Sequence, residues 1–133
     1  MLFRSETTEQ GWTLPRVKVF GRAHGRPCVQ GKAFYPVELE EALYAASDSL
    51  LFWRARHDAD TLEIEFESED GRSRAEAEAM EAHVYDALGV KATVRPVGIG
   101  AIVARSSLRE EGGFAKPRFL FGKDEDWKRA VLY

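Results

Sequence analysis

The sequence has a single cysteine, no long hydrophobic run and no excess of positive charge. One cysteine excludes an intrachain disulfide and a cysteine-rich zinc site, so we interpret Cys28 as a small packing residue. No stretch approaches the roughly 20 apolar residues that span a bilayer, and residues 1–10 lack the apolar centre of a signal peptide. We therefore expect a cytoplasmic protein with no membrane partner.

The charge balance gives no reason to expect a nucleic-acid partner. The formal net charge is −3, and lysine and arginine form no sustained run along the chain. What is present instead is 44% hydrophobic and 31% charged residues in 133 positions, the balance of one globular domain with its own core.

Hydrophobic periodicity predicts alternating strands and helices. Expected strands lie near 17–21, 27–30, 50–58, 61–70 and 92–97, and expected helices begin at Pro36 and near Ala75, the second ending at Gly89. Pro96 cannot donate to a sheet ladder, which favours an edge position for the last strand. The predicted fold class is α+β, a small β-sheet with two helices packed on one face plus an N-terminal β-hairpin.

The chain divides into two parts in this interpretation. Residues 1–13 are polar with little periodicity and are predicted to be a linker or strap, whereas 14–133 form a single domain. Glycines at 98, 100, 112 and 113 bracket a loop of roughly fifteen residues, longer than a simple connection needs. This loop is the first place to expect chemistry.

Most chemical motifs are missing. The histidines His24, His57 and His83 have no metal-ligand spacing, so no metal site is predicted, and the glycines after residue 97 do not form a phosphate-binding loop. Two groups of glutamates are predicted to lie on solvated faces of a strand and a helix. Their members are Glu63, Glu65 and Glu67, and Glu76, Glu78 and Glu81.

Two groups of basic residues stand on glycine-flanked segments. One group is Arg22 with His24 and Lys32, and the other is Lys116 with Arg118 after the predicted loop. A cation on such a segment can approach an anionic substrate and stabilise charge that develops on a phosphate, although surface charge alone explains many such residues.

The stretch LPRVKVFGRAHGRPCVQGKAFYPVELEEAL resembles the start of the C-terminal domain of phenylacetate–coenzyme A ligase-like adenylate-forming enzymes. Leu-Pro-Arg, Gly-Arg, a later glycine and a Pro-x-x-hydrophobic-Glu helix start follow one another in the order of that family. These elements begin at Leu14, Gly21, Gly31 and Pro36, and the resemblance extends over about residues 14–121.

The resemblance implies the small lid domain of an ATP-dependent ligase. Such an enzyme first adenylates a carboxylate with release of pyrophosphate, then transfers the acyl group to the thiol of coenzyme A. ATP, with its Mg²⁺, and coenzyme A are thus implied as substrates of the complete enzyme, with none bound by this chain alone. A large N-terminal adenylate-binding domain, in the same or a separate chain, is the implied partner.

The resemblance also assigns site residues. Arg22 matches the arginine near the nucleotide ribose, Gly31 the glycine of the region that faces the thiol, and Lys116 the catalytic lysine. His24 stands at the hinge, where the family has an aspartate. An ungapped alignment places Phe114 at the lysine position instead of Lys116.

Two alternatives remain open at this stage. The chain is either a ligase lid or a non-catalytic binding or regulatory module that retains the lid fold. A homodimer through the edge at 93–97 or through the aromatic C-terminal segment is a further possibility. The carboxylic acid substrate cannot be identified from these residues.

Overall fold

The computed structural model describes residues 2–6, 15–21, 26–71, 73–104 and 119–129. Ten elements and a closing 3₁₀ turn follow one another in these ranges. They are β1 Leu2–Glu6, β2 Arg16–Gly21, β3 Cys28–Val29, β4 Lys32–Ala33, α1 Pro36–Ala46, β5 Leu50–His57, β6 Leu62–Ser68, α2 Arg74–Leu88, β7 Thr93–Pro96, β8 Leu120–Gly122 and the turn Trp127–Arg129.

The described strands form three sheets. The largest has the order β7-β6-β5-β8, with β5 and β6 antiparallel and each outer strand parallel to its neighbour. The position of β7 at the edge of this sheet agrees with the expectation drawn from Pro96. The pairs β1–β2 and β3–β4 are separate two-stranded antiparallel sheets.

Local sequence signals account for the helix ends. Pro36 occupies the first turn of α1, where its missing N–H costs nothing, and the Glu38 carboxylate accepts a hydrogen bond from the Tyr35 backbone N–H at 2.9 Å. Ser73 precedes α2, and its hydroxyl accepts a hydrogen bond from the Glu76 backbone N–H. Gly89 closes α2 with a φ of 71°, a left-handed conformation that favours glycine.

Both helices pack on one face of the main sheet. Leu39 and Leu43 of α1 and Met80 and Val84 of α2 lie in the same buried cluster as alternate residues of the central strands. The strand residues of this cluster are Val29, Leu50, Trp53, Ala55, Leu62, Ile64, Phe66 and Val94. This arrangement confirms the predicted α+β fold class with two helices on one face of a small sheet.

Strand β1 lies within the segment predicted to be a linker or strap, and it pairs with β2 along the register from Leu2↔Gly21 to Glu6↔Arg16. Cys28 is exposed, so its interpretation as a packing residue is wrong. Alternation along β3 explains the error, because Val29 rather than Cys28 points into the core.

Candidate functional site

Gly31 lies at the tip of the β3–β4 hairpin. Cys28 pairs with Ala33 and Val29 with Lys32, which leaves Gln30 and Gly31 as a two-residue turn. Both turn residues have positive φ, 54° and 74°, as in a type I′ turn. Among the described residues other than Gly31 and its two chain neighbours, no atom lies within 4 Å of the place that a Cβ on Gly31 would occupy. The glycine is therefore needed for its backbone conformation, and the turn presents an exposed, open surface.

The Gln30 side chain attaches this turn to two other connections. Its Nε2 donates to the carbonyl oxygens of Asp60 at 3.1 Å and Lys91 at 3.0 Å, and its Oε1 accepts from the Lys91 backbone N–H at 2.9 Å. The Gln30 backbone N–H also donates to the Ala59 carbonyl at 2.8 Å. The turn is thus held between the β5–β6 turn and the connection from α2 to β7.

Lys32 adds an apolar contact at the same end of the domain. The Lys32 Cε lies 3.4 Å from the place of a Cβ on Gly89, so its aliphatic stem covers the glycine that ends α2. Sequence reasoning singled out Gly31 and Lys32 but missed Gln30. A glutamine beside a turn glycine has no distinctive sequence pattern, because its partners are backbone groups 30 and 61 residues away.

The other predicted site residues lie outside the described ranges. Arg22, His24 and Lys116 fall there, as does Phe114, the alternative occupant of the lysine position. Of the predicted site residues, Gly31 is the one whose surroundings are described. That Gly31 lies in one functional site with Arg22, His24 and Lys116 stays a prediction.

Glu67 is a second feature that the sequence pattern misjudged. This side chain is fully buried, which makes the prediction of a solvated glutamate face wrong at this position. Its Oε1 accepts from the Gly100 backbone N–H at 2.6 Å, and its Oε2 accepts from Ile102 and Val103 at 3.0 and 3.1 Å. One carboxylate thereby satisfies three amides and fixes the start of the segment that continues toward the predicted loop lysine.

Glu65 is also buried rather than solvated. Arg54 donates to its Oε2 through Nε at 2.8 Å and Nη2 at 2.6 Å, while Arg95 donates to its Oε1 at 2.6 Å. Glu63 pairs with Arg56 and is half-exposed. The Trp127 ring lies under Arg54 and Arg56, with guanidinium carbons 5.1 and 4.4 Å from its centroid. The sheet face opposite the helices is therefore a paired polar layer.

The helix glutamates divide in the same way. Glu78 is exposed and pairs with Arg74, as a solvated face predicts. Glu76 instead accepts hydrogen bonds from the hydroxyls of Ser47, Ser49 and Ser68. Burial tends to raise the pKa of Glu76, but these three donors outweigh it and hold the pKa below its usual value. Glu81 accepts from the Val94 N–H and links α2 to β7. Glu76 and Glu81 are thus partly exposed and also bonded within the protein, so the predicted solvated face describes them only in part.

Within the described ranges, no group of three or more His, Cys, Asp or Glu side chains is arranged to hold a metal ion. Neither helix in this part of the chain has the length and hydrophobicity to cross a membrane.

Solved structures of 2-hydroxyisobutyryl-CoA ligase resemble this chain. One, in the postadenylation state with 2-HIB-AMP, is 28% identical, covers 59% of this chain and has a TM-score of 0.51. Another, in the same state with R3-HIB-AMP, is 27% identical over 72% of this chain with a TM-score of 0.57. A third, an open conformation with 2-HIB-AMP and CoA, is 24% identical over 90% with a TM-score of 0.57, a likeness of fold alone.

The match is confined to a small part of those enzymes. The chain spans 19% to 26% of the length of the ligase chains it matches. No protein-family model matches the chain, and no curated protein matches it in sequence.

Proposed function

We propose that this chain is the small C-terminal lid domain of an ATP-dependent acyl- or aryl-CoA ligase and acts with a large adenylate-binding domain. The supporting observation is the similarity, at 27% to 28% identity, to part of a CoA ligase solved with acyl-adenylates. Because the chain spans at most 26% of those enzymes, the missing part would hold the acyl group and ATP. The carboxylic acid substrate is set by that part.

In the proposed reaction, two regions of the lid act in turn. Lys116 would place its ammonium near the carboxylate and the α-phosphate, where it neutralises charge that grows during adenylation. Arg22 would lie near the nucleotide ribose. Rotation at the hinge residue His24 would then bring the Gly31 turn to the path of the coenzyme A thiol. Closure in both states would exclude water from the hydrolysable adenylate.

The open surface at Gly31 is compatible with its part in this scheme. Because no described residue beyond the chain neighbours lies within 4 Å of the Cβ place on Gly31, this turn can approach a narrow thiol-bearing group without a side chain of its own at that position. The described residues offer no cluster for Mg²⁺, so the scheme places the metal with ATP on the large domain and assigns these residues no step through it.

A chimeric ligase tests the proposal. The part of 2-hydroxyisobutyryl-CoA ligase that this chain matches is replaced by this chain, and the parent enzyme and its truncated form serve as controls. Pyrophosphate release with ATP and 2-hydroxyisobutyrate reports adenylation, and thioester formation after addition of coenzyme A reports transfer. We expect the chimera to recover both activities above the truncated form.

The Lys116→Ala variant of the chimera identifies the catalytic cation. We expect pyrophosphate release to fall about a hundredfold or more, the scale of losing one charge-stabilising group. Lys128→Ala removes the same charge from an exposed position and is the matched control. Release that is indifferent to Lys116→Ala would refute its catalytic assignment.

The same experiment separates the second candidate function. A non-catalytic module with a lid fold would leave the chimera as inactive as the truncated ligase in both assays. That result, with the parent enzyme active, would refute the proposed lid function.

A further inference from the structure

The Gln30 amide group makes three of the four hydrogen bonds that a glutamine side chain can form. Both donated bonds go to backbone carbonyls, those of Asp60 and Lys91, and the accepted bond comes from the Lys91 N–H. These three bonds fix an exposed side chain that would otherwise keep its rotamer freedom in water. The bonds join segments distant in sequence and therefore constrain the tip of the hairpin.

We infer that Gln30 is a positioning residue that holds the Gly31 turn in the orientation needed for acyl transfer to the coenzyme A thiol. This inference rests on the proposed function, in which Gly31 faces the thiol. Gln30 itself would touch neither the acyl group nor coenzyme A. It would act through the backbone of the neighbouring glycine.

The hairpin needs such an attachment because it is short. Strands β3 and β4 have two residues each, and an isolated two-stranded hairpin is marginal in water even when longer. Val29 anchors one strand in the core with no exposed surface. The exposed tip beyond it is oriented by the Gln30 side chain and by the bond from its N–H to the Ala59 carbonyl.

The β5–β6 turn, whose carbonyl groups accept hydrogen bonds from Gln30, is itself stabilised by Asp58. Asp58 accepts bonds from the backbone N–H groups of Asp60 and Thr61 at 2.8 and 2.7 Å and from the Thr61 hydroxyl, and it pairs with Lys123 at 3.0 Å. These bonds hold the pKa of Asp58 well below its usual value, with the Asp60 N–H as the largest cause. Gln30 therefore docks on a rigid turn.

Accurate orientation matters for the transfer step. Thioester formation requires the sulfur to approach the acyl carbon along a narrow path, and a displacement of about 1 Å can cost roughly a hundredfold in rate. Adenylation uses the other proposed region of the lid. Loss of the Gln30 attachment should therefore slow transfer and leave adenylation unchanged.

Gln30→Asn is the informative substitution. Asn before Gly is the preferred pair for a type I′ turn, so the local turn is retained or favoured. The side chain is one methylene shorter and cannot make the three docking bonds in the observed geometry. In Gln30→Ala the same bonds are lost without the turn preference. Cys28→Ser, on the exposed side of the same hairpin, is the matched control.

The first measurement tests the contact in the full chain without any partner. The Lys91 amide should exchange its hydrogen roughly fivefold faster or more in Gln30→Asn, since the loss of a net stabilising hydrogen bond exposes that donor. Exchange at Ala77, inside α2, should be unchanged. Equal Lys91 exchange in both proteins would overturn the docking itself, whatever the enzyme assays give.

The second measurement uses the chimeric ligase loaded with acyl-adenylate. We expect the rate constant of thioester formation to fall roughly tenfold or more in Gln30→Asn and Gln30→Ala, while pyrophosphate release stays within about twofold. Cys28→Ser should keep both rates. Unchanged thioester formation, or an equal loss of both activities, would overturn the inference. If the chimera with native Gln30 catalyses neither step, the proposed function itself fails, whereas the exchange result still stands.

Discussion

At the residue scale, two carboxylates that the sequence pattern places on a solvated face are buried and hydrogen-bonded, those of Glu65 and Glu67. The alternation along β6 correctly groups Glu63, Glu65 and Glu67 on one face. It says nothing about what covers that face, because the covering groups come from 98–103 and from Trp127. The prediction of solvation was therefore mistaken because nothing in the sequence of β6 indicates that residues far along the chain cover this face.

Glu67→Gln should destabilise the domain by about 1–3 kcal/mol, because an amide group would face N–H donors that now meet carboxylate oxygens. Urea unfolding measures the change. Glu69→Gln, two residues on and exposed, is the matched control and should stay within about 0.5 kcal/mol. Equal stability of Glu67→Gln and the native chain would contradict the role assigned to the carboxylate.

His57 gives the domain a pH-dependent stability. Burial lowers its pKa below the ordinary value of 6.5, and the nearby Glu125 and Asp58 oppose this only in part. A lowered folded-state pKa means that the neutral form is favoured by folding. The contribution of neutral His57 to the free energy of unfolding is present above the pKa of the unfolded state. It is lost as pH falls through the pKa of the folded state.

The urea midpoint should accordingly decrease between about pH 7.5 and about pH 5.5, and His57→Gln should decrease less over that interval. His83→Gln changes an exposed histidine on α2 and is the control. Parallel pH profiles for the native chain and His57→Gln would rule out this contribution.

At the element scale, the segments with strong local signals are those that sequence reasoning located. Pro36 begins α1 and Gly89 ends α2, and the polar turn at 58–60 separates β5 from β6. Strand β4 has two residues and was missed, and the pairing of β8 with β5 depends on partners more than 60 residues apart. Short or non-local elements give too few residues for periodicity to detect.

The 3₁₀ turn at Trp127 covers the polar sheet face. Its indole is 5% exposed, contacts Phe121 in a small buried cluster and lies against two arginines. Trp127→Ala should lower the free energy of unfolding by about 3 kcal/mol. This value lies at the lower end of the range for replacing a large buried aromatic by alanine, because Trp127 lies outside the main core.

Trp127→Phe retains an aromatic ring under Arg54 and Arg56 and should lose only about 1 kcal/mol. Thermal unfolding compares the two variants. A Trp127→Ala protein as stable as Trp127→Phe would show that the aromatic cover contributes little.

At the scale of the whole molecule, β7 and β8 are the two outer strands of the main sheet in the part of the chain that the structure describes. One of the two homodimers considered from the sequence would pair β7 with a second copy. Pro96 offers no N–H there, and the Arg95 side chain is engaged with Glu65. We therefore expect the chain to run as a monomer at micromolar concentration in size-exclusion chromatography with light scattering. A mass of two chains would contradict this expectation.

The sequence by itself determined the fold class, the two helices and the central strands β5 and β6 with the turn between them. Each of these depends on periodicity, proline or glycine within a few residues, which act locally. Only the tertiary structure decided that Glu67 is buried, that Cys28 is exposed and that Gln30 fastens the Gly31 turn. These outcomes depend on groups brought together from distant parts of the chain, as the 61 residues between Gln30 and Lys91 illustrate.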